Sequence, residues 1–104
     1  MMIFDGHADL LYDVTKWRQA GEDRVFERRH LPRLQAGQIG GLGLSIWTTV
    51  EQDSIWSAHP DWDGWRRTEE MMARAREELA ECPWLALVRT AAEARKAQEI
   101  GRAS

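Results

Sequence analysis

The hydrophobic positions of this chain fall into short blocks whose spacing switches between strand-like and helix-like. Met2-Ile3-Phe4 is a brief apolar run that meets Asp5-Gly6-His7-Ala8-Asp9, the pattern of a buried strand ending in a polar tip. Leu10, Leu11, Val14 and Trp17 then recur near helical spacing, which predicts a helix over 10–20 with Gly21 as its stop. Residues 22–30 are mostly charged and read as a loop. Residues 31–37 supply one or two helical turns, with Pro32 in the first turn, where its missing N–H costs nothing, and Gly37 as the cap.

Residues 39–50, Ile-Gly-Gly-Leu-Gly-Leu-Ser-Ile-Trp-Thr-Thr-Val, are the most strand-like run in the chain. Their nearly continuous apolar character predicts a parallel strand covered on both faces. Gly40, Gly41 and Gly43 weaken its strand propensity, so something should approach that backbone closely. The clearest helix is predicted over 61–81. Trp65, Met72, Ala75 and Leu79 share one stripe, and Arg66, Arg67, Glu70, Arg74, Glu77 and Glu78 make the polar face. Asp61 is its cap candidate and Pro83 its stop. Residues 84–88 suggest a short extended segment. Thr90-Ala91-Ala92-Glu93 has capping-box form ahead of a last helix, predicted to reach Glu99 and to end by Gly101. The order strand, helix, strand, helix, helix is an α/β pattern in one segment, 1–104, with connections long enough for crossovers between parallel strands. A further strand is expected after Ser104.

Composition narrows the partners. With 43% hydrophobic and 30% charged residues in 104, the balance is that of a globular chain. A net charge of −3 gives no electrostatic reason to expect nucleic acid or an anionic membrane as partner. The pairs Arg28-Arg29 and Arg66-Arg67 read as solvated faces. Cys82 is the only cysteine, so no disulfide forms within the chain, and a half-buried, unreactive thiol is expected. The opening residues lack a basic and apolar leader, and no apolar run nears the roughly 18 residues of a membrane span. A cytoplasmic protein is expected.

The sharpest chemical feature is His7 with Asp9. Two apart on an extended chain, their side chains point to the same side. An imidazole nitrogen and a carboxylate oxygen, each about 2.0–2.2 Å from one ion, suit zinc, and barrel active sites collect at the C-terminal ends of strands. From the triplet alone another reading stays open, in which Asp9 caps the following helix and His7 is a polar surface residue. His30 falls at an N-cap position and His59 in a loop. Trp47 ends the second strand and Trp65 joins the helix stripe. Trp56 and Trp62 are expected to pack under a long loop rather than to wall a substrate site. The glycines of 37–43 do not match a dinucleotide fingerprint.

The run Phe4-Asp5-Gly6-His7-Ala8-Asp9-Leu10 resembles the start of the membrane (renal) dipeptidase family of zinc metallopeptidases, which belongs to the amidohydrolase-like barrels. Leu31-Pro32-Arg33-Leu34-Gln35-Ala36-Gly37-Gln38-Ile39-Gly40-Gly41 is similar to that family's short helix and glycine-containing second strand, and Ser45-Ile46-Trp47 looks like its continuation. Looser likenesses are Arg66-Arg67-Thr68-Glu69-Glu70-Met71, opening the long helix, and Arg89-Thr90-Ala91-Ala92-Glu93, like the helix before the third strand.

The resemblance implies the N-terminal part of a (β/α)8 TIM-type barrel, incomplete in this chain. The complete barrel would hold two zinc ions and hydrolyse dipeptides through a metal-bridging hydroxide. His7 and Asp9 would be zinc ligands from the end of the first strand. The family's bridging glutamate and further histidines would lie beyond Ser104, so catalytic and substrate-binding residues are not assigned. The family places no ligand at His30, and it often has a polar residue where Ala8 stands. A complete barrel needs about 250 residues. The isolated chain is therefore expected to hold at most a partial zinc site and to be inactive. The alternative is a non-enzymatic, self-associating α/β module derived from such a barrel. The remainder of the barrel, or a homo-oligomer, would cover its open strand edges.

Overall fold

The computed structural model describes residues 3–48 and 54–103, the side chains of 99–103 excepted. In chain order it contains β1 (Ile3–Ala8), α1 (Leu10–Gln19), α2 (Leu31–Ala36), β2 (Ile39–Leu44), α3 (Gly64–Glu81) and α4 (Ala91–Ala103), with a π-helical turn at Phe26–His30 and a 3-10 turn at Ile55–Ala58. The two strands pair in parallel, Ile3 opposite Ile39 and Ala8 opposite Leu44, so the architecture is α/β around a two-stranded sheet.

Glycine sets how closely the strands approach. A Cβ at Gly43 would lie 2.6 Å from the Gly6 carbonyl oxygen, and one at Gly41 would lie 2.6 Å from the Phe4 ring. The close neighbour expected at these glycines is thus β1 itself. β2 is shorter than the apolar run suggests. The N–H of Ser45 makes a last ladder bond to the Ala8 carbonyl at 3.0 Å; β1 then turns into α1 and offers no further rung. Residues 49 and 50 lie outside the described residues. Nor is the sheet covered on both faces. Leu42 packs on the core, but Leu44 is exposed, and Ile3 and Phe4 are 48% and 69% exposed.

The core lies between α1 and α3, where Leu11, Val14, Val25, Phe26, Trp56, Met71 and Cys82 are buried together. α1 stops as its sequence predicts. Gly21 takes a positive φ of 99°, its N–H reaches the Arg18 carbonyl, and the Glu22 N–H reaches that of Trp17. This pair of bonds is the helix-ending motif that glycine favours.

Residues 22–30 are not the solvated loop that their charge implies. Val25, Phe26 and His30 are buried. Their backbone is satisfied from a distance: the Glu78 carboxylate accepts the N–H of Val25 at 2.9 Å and that of Phe26 at 3.3 Å. Arg18, its side chain 8% exposed, reaches the same group. Its Nε donates to Glu77 at 2.6 Å, and its Nη atoms donate to Glu78 at 3.1 Å and to Glu81 at 3.0 and 2.9 Å. One guanidinium thereby ties α1 to α3, and Glu78 ties both to the turn at 25–26.

That arrangement also rotates α3. Its buried face is Met71 and Glu78, with Ala75 packed against the core. Trp65 is 72% exposed and Met72 40%, so the stripe predicted from apolar positions is turned away by about one residue. A polar residue belongs on the inner face because it receives amides there. The helix begins after Asp63, whose Oδ1 accepts the Arg66 N–H at 2.8 Å; Asp61 is not the cap. It ends at Cys82, held extended by the following Pro83. Cys82 is fully buried rather than half-buried, and burial pushes its thiol up, away from the reactive thiolate.

Residues 84–88 form no regular strand, and only Leu85 among them packs on the core. Thr90 Oγ1 accepts the Glu93 N–H at 3.1 Å, and Glu93 reaches back to the Arg89 N–H at 2.6 Å. The helix so capped continues through Gly101 instead of ending there. Arg28 and Arg29 pair with Asp23 and Glu22 on the surface. Arg67 turns inward instead, donating to the carbonyls of Thr48 and Trp62 at 3.1 and 2.7 Å. No helix among the described residues is long and apolar enough to cross a membrane.

Candidate metal centre

The tip of β1 meets the tip of β2 at a cleft of about 230 Å3 lined by His7, Asp9, Ser45, Ile46 and Trp47. The His7 N–H donates to Asp5 Oδ1 at 3.1 Å, in the stretch where the strand register is irregular. Asp9 stands at the N-cap position of α1, yet its side chain makes no cap bond. Its Oδ1 lies 3.1 Å from His7 Nε2 and 2.5 Å from the Ser45 hydroxyl. Ser45 Oγ is in turn 3.4 Å from His7 Nε2 and 3.2 Å from the Ala8 carbonyl oxygen. Of the alternative to metal binding, the capping bond from Asp9 is not made, whereas His7 is the exposed polar residue which that reading expects; the carboxylate faces the histidine.

The second wall of the cleft is fixed by packing. The Trp47 ring leans on Tyr12 with centroids 5.7 Å apart, and the Tyr12 hydroxyl accepts the Ile55 N–H at 2.9 Å. Arg67 holds the next residue, Thr48, through its carbonyl. The loop after β2 is thus pinned to α1 and α3 at the point where it borders the cleft.

Two tetrahedral zinc bonds of about 2.05 Å bring their donor atoms about 3.3 Å apart. His7 Nε2 and Asp9 Oδ1, at 3.1 Å, need only a few tenths of an ångström to accept an ion between them. The nitrogen and oxygen pair also suits zinc among the common divalent metals. The pair is half a site. A zinc centre takes three or four protein ligands, and among the described residues no group of three or more His, Cys, Asp or Glu side chains converges.

The remaining candidates are placed elsewhere. His30 is not a loop residue but lies in the π-helical turn, with both ring nitrogens engaged within the chain. Its Nε2 is 2.8 Å from Asp13 Oδ2 and its Nδ1 2.9 Å from Arg33 Nη2. Because arginine only donates, Nδ1 must accept, and Nε2 carries the hydrogen given to Asp13. His59 stacks on Trp62 with centroids 3.8 Å apart, and Arg66 lies 4.0 Å from the Trp62 ring. Trp56 is buried and Trp62 packs against it, as expected of residues under a loop.

Ser45 is the residue that sequence reasoning missed as part of the site. Thirty-six positions separate it from Asp9, and only the register of two parallel strands brings it there. Neither a family model, nor a characterised protein, nor a solved structure matches this chain, so the cleft has to be read from its own geometry.

Proposed function

We propose that this chain is the opening segment of a zinc-dependent dipeptidase, resembling the membrane dipeptidase family, with His7 and Asp9 as zinc ligands at the end of its first barrel strand. The observation that carries the reading is the approach of His7 Nε2 to Asp9 Oδ1 at the C-terminal tip of a parallel strand. The open sheet supports it. Parallel strands are ordinarily buried on both sides, and exposed Ile3, Phe4 and Leu44 call for further strands beside them. Zinc, when bound, would polarise the scissile carbonyl and activate water. The chain's own part is to hold the imidazole and carboxylate at bonding separation, on a cleft edge floored by strand tips. Ile46 and Trp47 give that edge an apolar wall against which a dipeptide side chain can lie. The same exposed sheet favours a second reading, a non-enzymatic module that self-associates through it.

The test uses the purified 104-residue chain. Zinc titration followed through the His7 imidazole resonances should show weak, one-to-one binding, abolished by His7→Ala and by Asp9→Asn. Dipeptide hydrolysis should be absent. The native product recognised by an antibody to this segment should have about 250 residues or more. A zinc-indifferent His7 would refute the metal site. Chelator-sensitive hydrolysis by the chain alone would refute its being half a site, and a native product of 104 residues assembled with itself would favour the module.

A further inference from the structure

We infer that Ser45 is the positioning residue of this site: its hydroxyl holds the Asp9 carboxylate toward the metal and away from the helix end that the carboxylate would otherwise cap. The inference rests on the metal reading of His7 and Asp9 and adds a control built into that pair.

Asp9 occupies the N-cap position of α1. An aspartate there ordinarily turns its carboxylate onto the second or third amide of the helix; here that leaves Leu11, since the Tyr12 N–H already donates to the Asp9 backbone carbonyl at 3.2 Å. It does not do so, and among the described residues the side chain that competes for it besides His7 is Ser45, 2.5 Å from Oδ1. Ser45 is itself fixed, since its N–H is bonded to the Ala8 carbonyl at 3.0 Å. A serine hydroxyl carries one hydrogen. The Ala8 carbonyl at 3.2 Å and His7 Nε2 at 3.4 Å are the more distant acceptors, so the hydrogen belongs with the carboxylate, the strongest of the three. A carboxylate oxygen has two lone pairs. Ser45 takes one of those on Oδ1 and leaves the other facing His7 Nε2, the direction from which an ion would be bound. The Asp9 side chain is 57% exposed and, among the described residues, no other hydrogen bond holds it against rotation.

Removal of the hydroxyl therefore releases Asp9 to cap α1. In Ser45→Ala, zinc affinity of the 104-residue chain should fall about 10- to 100-fold, as is usual when the partner of a metal ligand is lost. The amide resonance of Leu11 should shift as it gains an acceptor, with no loss of thermal stability. Ser45→Thr, which keeps the hydroxyl, should bind zinc within a few-fold of the parent. Both variants are checked for folding by the dispersion of their core resonances. A Ser45→Ala variant that binds zinc as tightly as the parent overturns the inference and leaves the ligand pair standing. Equal loss in Ser45→Ala and Ser45→Thr also overturns it, because bulk and not the hydroxyl would then be at issue. A parent chain that binds no zinc removes the ligand pair, and this inference with it.

Discussion

Two clusters in this chain set a nitrogen-bearing side chain against carboxylates, and they are built for opposite purposes. Around Arg18 the guanidinium is met by carboxylates on three sides. The guanidinium donates to Glu77, Glu78 and Glu81, and Glu78 takes two backbone amides as well. The Arg18 side chain is 8% exposed and that of Glu78 is 4% exposed, so this pair is closed off from solvent. At the strand tips the side chains of His7 and Asp9 are 73% and 57% exposed. There Nε2, Oδ1 and the Ser45 oxygen face one another across 3.4 Å or less, with more lone pairs than hydrogens. Matched donors in a dry place hold a fold together. Convergent lone pairs in a wet place are what the proposed zinc site would draw on.

The contrast can be broken most strongly at Arg18. Arg18→Met keeps the stem of the side chain but leaves Glu78 buried without its cation, a loss of about 3–5 kcal/mol for a broken buried pair. Urea unfolding should register it, while zinc binding of the fraction still folded stays at the parental level. A change below about 1 kcal/mol would mean that the amides of Val25 and Phe26 satisfy Glu78 by themselves.

The next effect separates two aspartates that both precede helices. Asp63→Ala removes a real cap from α3 and should cost about 1 kcal/mol, leaving the His7 resonances where they were. Asp9→Ala removes no cap bond, so thermal unfolding should hardly move although zinc binding disappears. Equal destabilisation by the two substitutions would show that Asp9 supports α1 after all.

The smallest effect is acid sensitivity. Hydrogen bonds from Arg18, then from the Arg24 N–H, hold the Glu81 carboxyl below its ordinary value near 4.5. The Arg29 hydrogen bond does the same for Glu22. A folded value below the unfolded one means that this stabilisation is complete above pH 4.5 and drains away as pH falls through the lowered value. Melting temperature should hold steady from neutrality to about pH 5 and then fall. Glu81→Gln should flatten that fall. A profile level down to pH 3, or one unchanged by Glu81→Gln, would exclude the Arg18 cluster as its source.

The sequence is most legible where contacts are local. The His7-Ala8-Asp9 alternation, the Gly21 stop, the glycine spacing of β2 and the bulk of α3 all follow from backbone rules acting over a few residues. It is least legible where a partner arrives from far along the chain. Val25 and Phe26 sit among seven polar residues in 22–30, and they are buried because Glu78 supplies acceptors from 53 and 52 positions away. The same carboxylate defeats apolar periodicity on α3, where counting hydrophobic positions points Trp65 inward although it faces solvent. Ser45 carries no local mark of function. Its place beside Asp9 is a consequence of the β1–β2 register, as is the end of β2 one residue earlier.

Cys82 carries a practical consequence of how the core is closed. It is the sole thiol of the chain, 2% exposed, at the junction where α3 gives way to Pro83. A thiol reagent reaches it only when that helix end lifts from the core, so with fast reclosing labelling proceeds at the fraction of time spent open multiplied by the rate at an open thiol. The chain thus carries its own reporter of core breathing, on a residue that does not line the cleft at the strand tips.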